Sequence, residues 1–449
     1  MFNYKLNFLL ILLIVTLIYL GWESWLLRTP QHLAIAGSSD LLQGNYYQVS
    51  IPPTKGDKYL SADYRLWIPD GVQSISGLIL KQHGCGDPAA ATGLEHANDL
   101  QWQALALKHH FALLGTKLPT GNQSCDNWAL LDGGSEGAFL KALHALAHNS
   151  RHPELNEVPW ALWGHSGGAD WVAQMLQKYP NRTIAVVAMR CGGFTFSGTN
   201  SALLGVPVMF ALGEKEPSAD ECLELPKKVF SRYRKAGALW ALAVEANTGH
   251  ESSDTRLLAI PYLDAIMTTR LPAQGTHLRP IDAARGWLGN IVTYEIAPVA
   301  QYGGNPLEAA WLPNEETARK WQEYVSTGKI SPTLKPAVPT DLCVTKIGAT
   351  EVMLTWHFTP DLENGLPSFR IYRNKLLIET LQGQEHNFGD TPEPSNVTLE
   401  FQDEKATPTS SYSVAAFNVV GENASQSTSS CKVSHDPKIK FTSSSILPR

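Results

Sequence analysis

The sequence predicts an α/β domain with a mostly parallel sheet flanked by helices, an all-β module after it and an apolar N-terminal helix before it. Three observations carry this. Between about Gln48 and Leu271, continuous apolar runs of strand length alternate with segments of helical periodicity, the pattern of strands buried on both faces. From about Pro339 to Ser434 the period changes to two, with Gly, Pro and Asn between short runs. At the start, no charged residue occurs from Leu6 to Trp22, and Phe8 to Leu20 is almost wholly aliphatic.

The elements follow in order. Lys5 precedes the first apolar run and Glu23 closes it. Such a segment starting a chain reads as a targeting sequence. The run is short for a full span, which needs about 20 apolar residues. The small-residue pattern Ala34-Ile35-Ala36 lies well beyond it. Residues 1–36 are therefore either a cleaved signal peptide or a retained signal anchor, and the protein is expected to be exported: secreted, periplasmic or membrane-anchored.

Within residues 45–272, strands are expected at Tyr64–Ile68, Gly77–Leu80, Phe111–Leu118, Val158–Trp163, Thr183–Met189, Pro207–Leu212 and Ala238–Val244. Helices are expected at Ala138–Ala147, Ala169–Lys178 and Ser253–Thr269. Residues 273–335 are an aromatic-rich extension and linker, with Trp287, Trp311, Trp321 and Tyr324 among its rings and a helix over Glu315–Val325. Residues 337–435 form the all-β module, in which Val352, Leu354 and Trp356 alternate, then Phe369 and Ile371, then Tyr412, Val414 and Ala416. Residues 436–449 are a tail.

The 449 residues carry 36 Lys and Arg against 42 Asp and Glu, a net charge of −6, with no basic run. The electrostatic footprint of a nucleic-acid binder is absent. Six cysteines occur without a CxxC pair, which argues against a zinc ribbon or a thioredoxin-like site. Export permits disulfides. The preferred pairing is Cys85–Cys125, Cys191–Cys222 and Cys343–Cys431. Asn122, Asn181, Asn396 and Asn423 stand in N-x-S/T sites.

The chemistry centres on Gly164-His165-Ser166-Gly167-Gly168. The pentapeptide is weak alone, and a serine in a Gly-rich turn can simply cap the following helix. Here an apolar strand runs into it and a helix runs out of it, the setting of a nucleophile elbow. A serine hydroxyl needs a base. His250, in Thr248-Gly249-His250-Glu251 after the strand Ala238–Val244, comes last in chain order as that fold requires. His165 neighbours the serine, so its side chain points away and it is a poor base. The acid should follow Pro207–Leu212 and hold the imidazole's tautomer. Glu216 is preferred, with Asp220 second and Glu214 third. The oxyanion donors would be the main-chain N–H groups of Gly167 and of Cys85 in His83-Gly84-Cys85-Gly86. His144 and His148 share a helix face but lack the glutamate of a zinc protease. Asn122–Trp128, with Cys125, is either a wall of the acyl pocket or a purely structural loop. No metal or other cofactor is called for.

The order of His-Gly loop, serine elbow, acid and histidine resembles the α/β-hydrolase superfamily across about Gln48–Leu271. The His-Gly-Cys form looks most like the secreted esterase and polyhydroxyalkanoate-depolymerase branch, which includes feruloyl and acetyl xylan esterases. Leu354-Thr355-Trp356, Phe369-Arg370-Ile371-Tyr372-Arg373 and Tyr412-Ser413-Val414-Ala415-Ala416-Phe417-Asn418 resemble a fibronectin type III domain, with Tyr412 at the tyrosine corner and Cys343 and Cys431 on its first and last strands. The chain departs from the esterase branch in its aromatic extension and in a glutamate at the acid position.

The resemblance implies carboxylic-ester hydrolysis through an acyl-enzyme on extracellular or cell-surface esters, polysaccharide side groups among them. The β module would contact polysaccharide or another surface, and the membrane would be touched only by the N-terminal segment. A serine peptidase on the same triad, or a non-catalytic adhesion or scaffold protein, are the competing readings.

Overall fold

The computed structural model describes residues 44–122, 128–192, 198–251, 255–272, 275–363, 367–382 and 399–430. The N-terminal apolar run, Cys125, Asn396, Cys431 and the tail lie outside the described residues. Among the described residues no helix is long and apolar enough to cross a membrane. The chain divides into two compact units between Ser331 and Pro332.

The first unit is built on eight strands, β1 (Gly44–Ile51), β2 (Ala62–Pro69), β3 (Gly77–Gln82), β4 (Phe111–Lys117), β5 (Trp160–His165), β6 (Thr183–Met189), β7 (Val208–Gly213) and β8 (Trp240–Glu245), in the order β1-β2-β4-β3-β5-β6-β7-β8. β1 pairs antiparallel with β2, and β2 antiparallel with β4. From β4 to β8 every pairing is parallel. The parallel strands earn their place by composition. Every residue of β3, β5, β6 and β7 is buried, so apolar side chains fill most of both faces, with Lys81, Gln82 and His165 as polar residues at carboxyl ends. β1 differs, with half-buried and exposed residues only.

Helices α1 (Asp87–Ala91), α2 (Leu100–His109), α3 (Ser135–Ser150), α4 (Gly167–Lys178), α5 (Leu225–Lys235) and α6 (Thr255–Arg270) connect the strands. The chain passes from β3 outward to β4, then returns across β3 to β5. The strand order therefore reverses beside β3, and in open α/β sheets ligands bind beyond the carboxyl ends of the strands at such a point.

The aromatic extension belongs to this unit. It folds as three short strands, β9 (Trp287–Gly289), β10 (Ile296–Pro298) and β11 (Ala310–Leu312), with β9 in the middle and both pairings antiparallel. Helix α7 (Glu315–Thr327) follows; Asn314 caps it by accepting the Thr317 N–H at 2.8 Å. Trp321 of α7 is fully buried, and its indole N–H donates to the Leu242 carbonyl of β8 at 2.8 Å. Arg234 of α5 donates to the carbonyls of Ala309 at 2.6 Å and Pro306 at 2.5 Å, and also to that of Ala238. Burial brings this guanidinium down to about 10.

The second unit carries two antiparallel sheets. One holds β12 (Thr340–Lys346), β13 (Val352–His357) and β16 (Glu400–Asp403). The other holds β14 (Ser368–Arg373), β15 (Leu376–Leu381), β17 (Tyr412–Asn418) and β18 (Gly421–Ala424), in the order β15-β14-β17-β18. The arrangement fits a β-sandwich. Trp356, Phe369, Ile371 and Val414 are buried, and the Trp356 and Phe369 rings meet edge-on at 5.6 Å. The Tyr412 hydroxyl donates to the Asp403 carboxylate at 2.7 Å, a side-chain acceptor where a tyrosine corner uses main chain. Arg373 donates to both oxygens of the same carboxylate, at 2.9 and 2.8 Å.

Candidate active site

Ser166 occupies the turn between β5 and α4 with φ 54 and ψ −121. This is a region that L-residues rarely adopt, at a cost of about 1–3 kcal/mol. The turn is held by the Ser166 N–H on the Met189 carbonyl at 2.9 Å, and by the Ser166 carbonyl, which accepts from Ala169 at 2.8 Å. The flanking glycines are a steric requirement. A Cβ on Gly164 would lie 2.1 Å from the Gly168 carbonyl oxygen, and one on Gly168 would lie 2.4 Å from that of Gln82. The second contact brings the end of β3, and the His83–Gly86 loop after it, against the elbow.

His250 stands on the loop after β8. Its Nε2 is 2.8 Å from Ser166 Oγ, and its Nδ1 is 2.7 Å from Glu216 Oε2. With Glu216 ionised, Nδ1 carries the proton and Nε2 is left to accept from the serine hydroxyl. The Glu216 side chain is fully buried, whereas that of His250 is 36% exposed and so can meet a ligand. The loops of acid and histidine are joined by main chain: the Lys215 N–H donates to the Thr248 carbonyl at 2.8 Å. Glu214 is exposed, and its carboxylate accepts the Asn247 N–H at 2.8 Å. Asp220 is also exposed, beyond the turn that carries Glu216. Of the three carboxylates considered, Glu216 is the one brought to the histidine.

The Cys191–Cys222 disulfide forms as the pairing expects. Cys85 and Cys343 are disulfide-bonded as well, while Cys125 and Cys431 fall outside the described residues. Cys222 Sγ lies within 4.8 Å of the ligand atoms of both Glu216 and His250. That trio has the reach of a metal site. Its sulfur is committed to a disulfide, however, so it cannot supply the thiolate that a metal would need.

Gly167 is the first residue of α4, so its N–H lies among the groups at the positive end of a helix. Cys85 is half-buried in the loop after β3. The shape of that loop depends on His83, a role the motif alone did not reveal. The Leu118 N–H donates to His83 Nε2 at 2.9 Å, which leaves Nδ1 to donate to the Gly84 carbonyl at 2.6 Å. The imidazole is fully buried and packs edge-on to Trp128 at 4.7 Å.

Ser166 Oγ has His250 Nε2 as its partner, and His165 is a poor base by its place next to the serine. Instead its Nε2–H donates to the His250 main-chain carbonyl at 2.9 Å, and the two rings lie 5.1 Å apart. The residue before the serine thus holds the loop of the histidine. Its place between Gly164 and Ser166 was the available signal. His144 and His148 are both exposed on α3.

No family model matches the chain, and no curated protein matches it in sequence. Among solved structures it is similar to LpqC, a poly(3-hydroxybutyrate) depolymerase from Bordetella parapertussis, at 15% identity over 51% of this chain and 87% of that one, with a TM-score of 0.34. It is similar to a ferulic acid esterase at 13% identity over 51% of this chain and 98% of that one, with a TM-score of 0.37. It is also similar to an S-formylglutathione hydrolase from Agrobacterium tumefaciens at 11% identity over 51% and 94%, with a TM-score of 0.34.

Proposed function

We propose that the protein is a serine hydrolase that cleaves carboxylic esters through an acyl-enzyme. The observation that carries this is the unbroken chain Ser166 Oγ to His250 to Glu216, at 2.8 and 2.7 Å, placed on a strained turn beside the reversal point of the sheet.

Ser166 Oγ attacks the ester carbonyl while His250 Nε2 takes its proton. Glu216 stabilises the imidazolium and keeps its proton on Nδ1. The oxyanion is met by the N–H groups of Gly167 and Cys85, each worth about 3–4 kcal/mol in such sites. Collapse expels the alcohol, protonated by His250. Water, activated by the same nitrogen, then releases the acid and restores the serine.

The remaining parts of the reading concern place. The apolar start of the chain supports export, by cleavage or as an anchor. The strand order of the second unit, three strands facing β15-β14-β17-β18, supports a fibronectin type III module that contacts polysaccharide or another surface.

Purified protein should hydrolyse p-nitrophenyl acetate and take up a fluorophosphonate at Ser166, and Ser166→Ala should do neither. Full activity in Ser166→Ala would overturn the reading. Faster turnover of peptide than of ester substrates would replace it by a peptidase.

A further inference from the structure

We propose that the aromatic extension acts on the catalytic histidine through a buried relay, Tyr324–Glu245–Arg190, in which all three are positioning residues. The inference rests on the hydrolase reading above and adds a function for a segment outside the eight-stranded sheet.

The relay starts on α7. The Tyr324 hydroxyl, fully buried, donates to Glu245 Oε2 at 2.5 Å. Glu245 is the last residue of β8 and its side chain is 3% exposed. Its Oε2 also receives Arg190 Nη2. Arg190 is fully buried, and its Nε donates to the Glu251 carbonyl at 2.7 Å. Glu251 is the residue after His250. Two side chains, those of Glu245 and Arg190, thus separate the extension's Tyr324 from the main chain that carries the base.

The arrangement is costly to build. A buried guanidinium and carboxylate are costly unless hydrogen-bonded; Arg190 pairs its Nε and Nη2, while its buried Nη1 has no partner among the described residues. Arg190 also sits at φ 53, a strained backbone for a non-glycine residue, held by its N–H on the Ala211 carbonyl at 2.9 Å. Such strain persists where the surroundings over-determine it, and here they aim the side chain at the histidine loop. His165 grips His250 at its own carbonyl, and Arg190 grips the next one. Two successive carbonyls fixed from two sides leave the imidazole little freedom to swing away from Ser166. Burial, foremost, pushes the Tyr324 phenol well above its ordinary value, so the hydroxyl remains a donor throughout the assay range.

Displacing a catalytic group by about 1 Å can cost on the order of a hundredfold in rate. Tyr324→Phe removes one hydroxyl and keeps the ring that packs in the core. It should lower kcat for p-nitrophenyl acetate, and the rate of fluorophosphonate labelling, by about tenfold or more. KM should stay close to the parent's, while the thermal midpoint falls by a few degrees because a buried carboxylate loses one donor. If Tyr324→Phe loses its thermal transition, Glu245→Gln replaces it, keeping the shape and an acceptor while removing the charge. Arg190→Lys should lower both rates likewise, because an ammonium cannot donate to Glu245 and Glu251 with the geometry of the fork. A folded Tyr324→Phe or Glu245→Gln that turns over and labels like the parent overturns the relay. Ser166→Ala run alongside separates the two claims: if it is inert while the relay variants match the parent, only the relay fails, and if it is active the hydrolase reading fails.

Discussion

Gly213 and Gly249 are in main-chain contact: a Cβ on Gly213 would sit 2.1 Å from the Gly249 carbonyl oxygen and 2.6 Å from that of Thr248. One glycine ends the strand before the acid and the other precedes the histidine. Their approach sets the spacing of Glu216 from His250. Gly213→Ala should therefore part the two loops. We expect kcat for p-nitrophenyl acetate to fall on the order of a hundredfold, with a smaller relative change in KM. Steady-state kinetics beside a thermal melt would check it.

Glu216→Gln preserves size but offers the histidine a neutral partner and the wrong tautomer. A fall in kcat of about 10⁴-fold is expected by analogy with other triads. Asp220→Asn, on an exposed residue, should leave kcat within about twofold, as surface changes do. Measuring both variants on one ester decides which carboxylate completes the triad.

Reduction of Cys191–Cys222 should weaken catalysis through Glu216. The bond closes a separation of 31 residues, worth about 3–4 kcal/mol of stability on chain-entropy grounds. Its Cys222 end lies within 4.8 Å of Glu216 and His250. The paired variant Cys191→Ala/Cys222→Ala should melt lower and show a reduced kcat. A parent-like kcat in the folded variant would show that the bond serves stability alone.

Acid stability should depend on Asp99. Burial works against its charged form, but the Arg256 guanidinium at 3.0 Å and the Lys81 ammonium at 3.4 Å outweigh it and hold the carboxyl below its usual value. A depressed folded value means that its stabilisation is present above the unfolded value of about 3.9 and is lost as pH falls through the lower folded one. Asp99→Asn should cost about 3 kcal/mol near neutrality, because the buried Lys81 ammonium and the partly buried Arg256 guanidinium lose their charged partner. The loss should shrink toward acid pH, which a series of melts from neutral to acid would display.

Much of this architecture is legible in the sequence because burial on both faces forces continuous apolar runs. Thr183–Met189 is the clearest case, a strand whose seven residues are all buried. β1 escapes such reading because its residues are half-buried or exposed and its composition is polar. β9, β10 and β11 escape it because three residues are too few to show a period. Of the site, Ser166, His250 and Glu216 could be named from turn chemistry and chain order. The roles of His83, His165 and Arg190 could not, since each joins main chain that is distant in sequence: the Leu118 N–H, the His250 carbonyl and the Glu251 carbonyl. Side-chain to main-chain contacts of that kind leave no spacing rule to find.

Trp356 has a practical consequence. It is the one tryptophan in the sequence after Trp321, and it is buried in the second unit, while the first unit buries Trp67, Trp102, Trp128, Trp160, Trp171, Trp240 and Trp321. The protein thus carries a built-in optical label for its β-sandwich. Subtracting the emission of Trp356→Phe from that of the parent during denaturation would isolate the unfolding of that unit without dye or tag.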